Sequence, residues 1–173
     1  MVTNELSRFS LALEWLRPTN VSLVKRLLNL AAFLAVLLLC SGCGFNRAWN
    51  KAGGTLVPTS SIEGQWEGRW LSDANGHTGR LRCVLTRSGD NTNTYTARFR
   101  ATYWKIFHYS YKAEFPFEPR EGRWHFHGNE NLGWLAGGVY HYEGQVSPTN
   151  FNATYRSKYD HGTFEMSRSK ATN

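Results

Sequence analysis

Between Ile62 and Lys170 the sequence alternates apolar and polar residues in short runs that recur every 12 to 14 residues. A period of two is the pattern of a strand with one buried face. The runs are Glu63–Leu71, Gly79–Arg87, Thr94–Tyr103, Ile106–Phe117, Gly122–Asn129, Gly138–Val146, Asn150–Ser157 and Gly162–Ser169. Turn-forming clusters such as Asp73-Ala74-Asn75-Gly76, Ser88-Gly89-Asp90-Asn91 and Ser147-Pro148-Thr149-Asn150 separate them. Only Trp104-Lys105 offers no turn signal. No helical stripe competes with this pattern. A meander of eight strands has two bare edges unless it closes. Eight is also the strand number at which a closed sheet is filled by side chains or holds one small ligand. Residues 62–170 are therefore expected to form an all-β domain, a single antiparallel eight-stranded up-and-down barrel. A β-sandwich or an open meander is the alternative.

The faces follow from the alternation. Trp66, Gly68 and Trp70 share one side of the first strand. Leu81, Cys83 and Leu85 share one side of the second, with Val84 as an apolar residue on the wrong side. Ala97, Phe99 and Ala101 belong inside, as do Tyr109, Tyr111, Ala113 and Phe115, then Phe151, Ala153 and Tyr155, then Phe164 and Met166.

Upstream lies a different kind of segment. Leu27 to Cys43 reads as an apolar run behind Lys25 and Arg26, ending in small residues. That is the layout of a secretory signal. The apolar run is about 13 residues and holds Asn29, short of the roughly 20 residues a spanning helix needs. Residues 1–42 are read as the signal peptide, with 1–26 an unusually long n-region. Cys40-Ser41-Gly42-Cys43 resembles the lipobox of bacterial lipoproteins, although that family prefers Leu where Cys40 stands. The resemblance implies cleavage before Cys43, diacylation of its thiol and acylation of its new amine. It also implies anchoring to the cell envelope through Cys43, in the outer membrane because Gly44 lacks the Asp of inner-membrane retention. Several acyl chains hold a protein at a bilayer where one does not. Residues 43–61, rich in small and turn-forming side chains, are expected to be a flexible, lipidated tether.

Gly64-Gln65-Trp66, echoed by Gly68-Arg69-Trp70, resembles the Gly-x-Trp signature on the first strand of lipocalins, avidins and related calycin barrels. In that family an Arg or Lys late in the last strand packs over the Trp, and Arg168 stands at that place. A cation over an indole is worth up to about 2 kcal/mol when desolvated. The sequence departs from the family in having no helix after the barrel and in repeating the motif at Glu121-Gly122-Arg123-Trp124.

The chain carries a net charge of +7, and loss of residues 1–42 leaves +5. Arg80, Arg82, Arg98 and Arg100 fall on the polar faces of neighbouring strands and are read as a surface patch for anionic partners. Nucleic acid is not an expected partner of an exported protein. Cys83, on an apolar face, reads as a small hydrophobe. His125 and His127 alternate with Trp124 and Phe126, which puts them on the solvent side, and no Cys or carboxylate stands beside them at ligand spacing. No metal and no cofactor is expected. Asp160-His161 has no nucleophile in view, so no catalytic residue is assigned and an enzyme is not expected.

What remains is an aromatic surplus. Trp66, Trp70, Phe99, Tyr109 and Tyr111 are the candidates to line a pocket for a small apolar ligand or lipid. Trp134, in a Gly-rich hairpin loop, is the candidate contact for an envelope protein partner. The expected function is an envelope lipoprotein binding such a ligand. The alternative is a non-catalytic structural or adaptor protein with a filled barrel.

Overall fold

The computed structural model of the protein describes residues 21–58, 60–89, 93–134 and 137–169, and within these the side chains of 24–30 and of 44 onward. A helix, α1, spans Val21–Gly53. Eight strands follow it: β1 Gly64–Ser72, β2 Thr78–Arg87, β3 Thr94–Tyr103, β4 Phe107–Arg120, β5 Arg123–Asn131, β6 Val139–Val146, β7 Asn150–Arg156 and β8 His161–Arg168. Each strand pairs antiparallel with the next, and β1 pairs with β8, so the sheet is a closed up-and-down barrel. The sandwich and the open meander are thereby excluded.

Closure runs from Trp66 opposite Arg168 to Ser72 opposite Gly162. Gly68 lies in the middle of this seam. A Cβ there would fall 2.0 Å from the carbonyl oxygen of Glu165. The seam therefore depends on glycine for its close backbone approach. The β3–β4 connection is the turn that has no sequence signal. The Ile106 amide donates to the Tyr103 carbonyl at 3.2 Å. Trp104 and Lys105 between them both have left-handed backbone, φ 46° and 66°. Left-handed backbone at two successive turn positions is a conformation that Asn-Gly usually occupies.

The two ends of the barrel differ. At the end where β1 begins and β8 finishes, large side chains fill the interior. Tyr95 and Phe117 meet edge to face at 5.0 Å, Phe117 stacks on Phe126 at 4.8 Å, and Trp66 meets Phe151 at 5.9 Å. Each such burial contributes roughly 1.5–3 kcal/mol. Trp66 is fully buried, and its indole N–H donates to the Ile62 carbonyl at 3.0 Å. Arg168 lies over the Trp66 ring and donates to the carbonyls of Pro148, Glu63 and Ser61. This end is plugged. The other end, where the β1–β2, β3–β4, β5–β6 and β7–β8 turns gather, is open.

The barrel and the residues from Ser41 onward form one unit. Within it the last turns of α1 lie on the outer wall. The Gln65 side-chain amide donates to the Trp49 carbonyl at 2.8 Å, and Arg100 donates to Asn46 at 2.6 Å. The Arg82 guanidinium sits 5.5 Å from the Phe45 ring and 5.1 Å from the Trp49 ring. Phe45 is buried, and so is Val84, although neither belongs to the interior cluster. This wall explains the misplaced apolar residue of β2: Val84 points outward, between Gln65 and Arg98 on the neighbouring strands, onto a face the helix covers. More than half of the expected tether, residues 43–53, is thus helical and packed rather than flexible. Phe45 and Trp49 give it an apolar face that a pure linker would lack.

Candidate functional site

The open end holds a cup of about 600 Å³. Six of the eight tyrosines in the chain line it: Tyr103, Tyr109, Tyr111, Tyr140, Tyr142 and Tyr155. The register explains their convergence. Tyr103 ends β3 and Tyr109 lies near the start of β4, Tyr140 and Tyr142 open β6, and Tyr155 closes β7. All are inward positions at the same end of the barrel. Trp70 and Phe164 add apolar wall, Ala101 leaves space where a larger residue would intrude, and Leu132 comes from the β5–β6 connection.

Phe99 forms the floor. It stacks on Tyr111 at 5.0 Å and contacts Phe151 and Phe164 at 6.3 and 5.7 Å. Above it the phenols link together. Tyr142 donates to the Tyr111 hydroxyl at 3.2 Å, and Tyr109 donates to the Leu132 carbonyl at 3.2 Å. The Trp70 indole N–H donates to the Thr102 carbonyl at 3.2 Å. Among the described residues the hydroxyls of Tyr103 and Tyr140 have no hydrogen-bond partner, which leaves two groups available to a guest.

Among the described residues one charged side chain lines the cup. Asp160, in the β7–β8 turn, accepts from the Ser72 hydroxyl at 2.6 Å and from the Tyr155 hydroxyl at 3.2 Å. Among the described residues no Lys or Arg lines the cup. Burial pushes Tyr103 up to about 12, helped by Tyr140, Asp160 and Tyr109. Burial likewise raises Tyr111, Tyr142 and Tyr155, the last with Asp160 acting in the same direction. The site is therefore a set of neutral phenols with one carboxylate. It can stack on a flat molecule, accept and donate hydrogen bonds, and favour a hydrogen-bond donor near Asp160.

Of the pocket residues expected from sequence, Trp70, Tyr109 and Tyr111 line the cup. Phe99 lies beneath it, and Trp66 is at the plugged end, held there by Ile62 and Arg168. Tyr103, Tyr140, Tyr142 and Tyr155 are lining residues that the five candidates omitted. Their signal was present in the strand alternation, since each sits on an apolar-face position close to a turn. Asp160 had no such signal, because its inward turn depends on Tyr155 in its own hairpin and on Ser72 across the seam.

The four arginines do not form one free basic patch. Arg82 and Arg100 lie over the Phe45 ring, at 5.5 and 5.8 Å. Arg80 is paired with Glu67. Burial first, then Arg80 and Arg100, pull Arg82 below its ordinary value, with Glu67 opposing. Arg98, opposite Lys112 and Val84, remains on the wall. The reason is the helix, which uses the arginine stems and guanidinium faces as its docking surface. Trp134 is exposed, at 86%. The Cys43 side chain lies outside the described side chains. Comparison with family models, curated proteins and solved structures gives no match for this chain. Among the described residues no helix is long and apolar enough to cross a membrane, and no group of three or more His, Cys, Asp or Glu is placed to hold a metal.

Proposed function

We propose that this protein is an envelope lipoprotein, anchored through Cys43, whose barrel binds one small and largely apolar molecule in the tyrosine cup. The observation that carries this reading is the contrast between the two ends. Large aromatic side chains fill one end of the barrel and leave the other open. At the other, six phenols surround an open volume of about 600 Å³, the size of a small-molecule site.

The chemistry of the wall narrows the guest. A carboxylate or phosphate would enter beside Asp160 with no cation to meet it, so an anionic lipid or free fatty acid is disfavoured. A neutral or weakly basic flat molecule carrying an N–H or O–H donor fits the Asp160 carboxylate and the ring faces. No catalytic role is proposed for any residue.

The test is a fluorescence titration with N-phenyl-1-naphthylamine, which is flat, apolar and neutral with one N–H. Saturable uptake at one per chain, accompanied by a change in Trp70 emission, supports the reading. Ala101→Phe places a ring inside the cup and abolishes the uptake while leaving the melting transition near that of the parent. Uptake that Ala101→Phe leaves unchanged places the probe elsewhere and removes the proposal.

A further inference from the structure

Three of the four hairpin tips around the open end carry large apolar side chains in solvent. They are Trp104, Ile106 and Phe107 on β3–β4, Trp134 and Val139 on β5–β6, and Tyr159 on β7–β8. Trp104 is 74% exposed and Tyr159 is 70% exposed. Apolar groups concentrated at one end of a domain mark a surface that meets something other than water. The backbone gives a second indication. Trp104 and Lys105 hold left-handed conformations that cost a bulky residue free energy and would cost Asn-Gly little. A tip that keeps Trp and Lys there keeps them for what they contact.

The charges on these three tips are specific. Asp160 is turned inward onto Ser72 and Tyr155, which leaves Lys105 and Lys158 as the outward charges of the turns, with Arg156 at the end of β7 beside Trp134 and Tyr159. The Lys158 ammonium lies 5.1 Å over the Tyr159 ring. Trp and Tyr with neighbouring Lys is the composition that settles at the boundary between acyl chains and headgroups. Amphipathic rings span that boundary, and ammonium groups reach anionic phosphates.

The helix on the wall agrees in direction. Its Gly53 end touches Gln65, at the start of β1 on the plugged end, where a Cβ on Gly53 would lie 2.9 Å from the Gln65 amide. Its Phe45 and Asn46 end meets Arg82 and Arg100, nearer the open end. Traced backward toward residue 43, the chain climbs toward the open mouth.

We propose that the open end of the barrel seats in the interfacial layer of a bilayer containing anionic phospholipid, with the three aromatic tips inserted and Lys105 and Lys158 at the headgroups. The cup then opens onto lipid. This consequence rests on the ligand reading above: the bilayer, not the aqueous phase, delivers the guest. The seating itself does not depend on the cup being filled.

The test uses the full chain reconstituted into vesicles of phosphatidylcholine with a minor share of phosphatidylglycerol, prepared with and without brominated acyl chains. The contribution of Trp104 and Trp134 is isolated as the difference between the parent and the double variant Trp104→Phe, Trp134→Phe. The expected result is that brominated lipid extinguishes this difference signal and aqueous iodide does not reach it. Lys105→Glu with Lys158→Glu restores iodide access and lowers the quenching by bromine. Free access of iodide in the parent overturns the seating, because the tips then face water. Shielding from iodide without quenching by bromine also overturns it and indicates a protein partner. Uptake of N-phenyl-1-naphthylamine in the same vesicles reads the cup separately, so a seated barrel that takes no probe and an unseated barrel that takes it are distinct outcomes.

Discussion

The Arg168 guanidinium lies 4.7 Å from the centre of the Trp66 indole, on the strand that closes the barrel against the strand carrying that Trp. One side chain thereby joins the last strand, the segment preceding the first, and the β6–β7 turn, through the carbonyls of Glu63, Ser61 and Pro148.

Arg168→Met keeps the length and removes the charge and the donors. Losing charge-assisted bonds while leaving half-buried carbonyls unmet is expected to cost about 3 kcal/mol. Arg168→Lys keeps a cation over the ring, yet one ammonium does not span three carbonyls, so it recovers less than half. Urea unfolding followed by Trp emission measures both. Equal midpoints for the parent and Arg168→Met would show that the bridge is dispensable.

The tyrosine cup makes the protein sensitive to alkali. Tyr103 is pushed up to about 12 by burial and its neighbours, and Tyr111, Tyr142 and Tyr155 are raised as well. Unfolded phenols titrate near about 10. The folded state holds these protons more tightly, so stability is intact below about pH 10 and falls as pH rises toward and beyond about 12. A phenolate absorbance titration should show a set of phenols, those of the cup, that ionise late and together with unfolding. Reversible ionisation of all eight tyrosines at the ordinary midpoint contradicts the buried cup.

Asp160 sets the charge preference of the guest. The neutral N-phenyl-1-naphthylamine should outcompete the anionic 1-anilinonaphthalene-8-sulfonate, which shares its ring system. Asp160→Asn should narrow the gap by roughly tenfold, about 1.4 kcal/mol of relieved repulsion. Competition measured on parent and variant checks this, and an unchanged ratio would mean that Asp160 does not face the guest.

Helix docking rests on Phe45 and Trp49 against Arg82 and Arg100. Phe45→Ser with Trp49→Ser should release the segment and speed tryptic cleavage after Arg47 and Lys51 by roughly tenfold through easier local opening. The barrel melt should move little, because neither ring enters the interior cluster. Unchanged cleavage would mean that other contacts hold the helix.

Much of this architecture was legible because strand alternation is a strong signal and closure follows from strand number. The inward sets on β1, β3 and β7 read directly from sequence. Two things did not. The helix on the wall was hidden because Phe45 and Trp49 are too few to make a stripe, and the clue was instead Val84, an apolar residue facing out. The division of the interior was hidden because alternation gives the face of a residue and not its height in the barrel. Trp66 and Tyr111 share an inward orientation, yet one belongs to the plug and the other to the cup. The Trp104-Lys105 turn was silent for a different reason: its conformation is one the residues themselves disfavour.

That the cup holds a guest is tested most directly by native mass spectrometry of the full chain, released from its host membranes into a neutral detergent. The expected spectrum shows one small neutral adduct per chain, lost on collisional activation and absent from Ala101→Phe. A bare chain that takes up nothing from a lipid extract, or an adduct that Ala101→Phe retains, contradicts it.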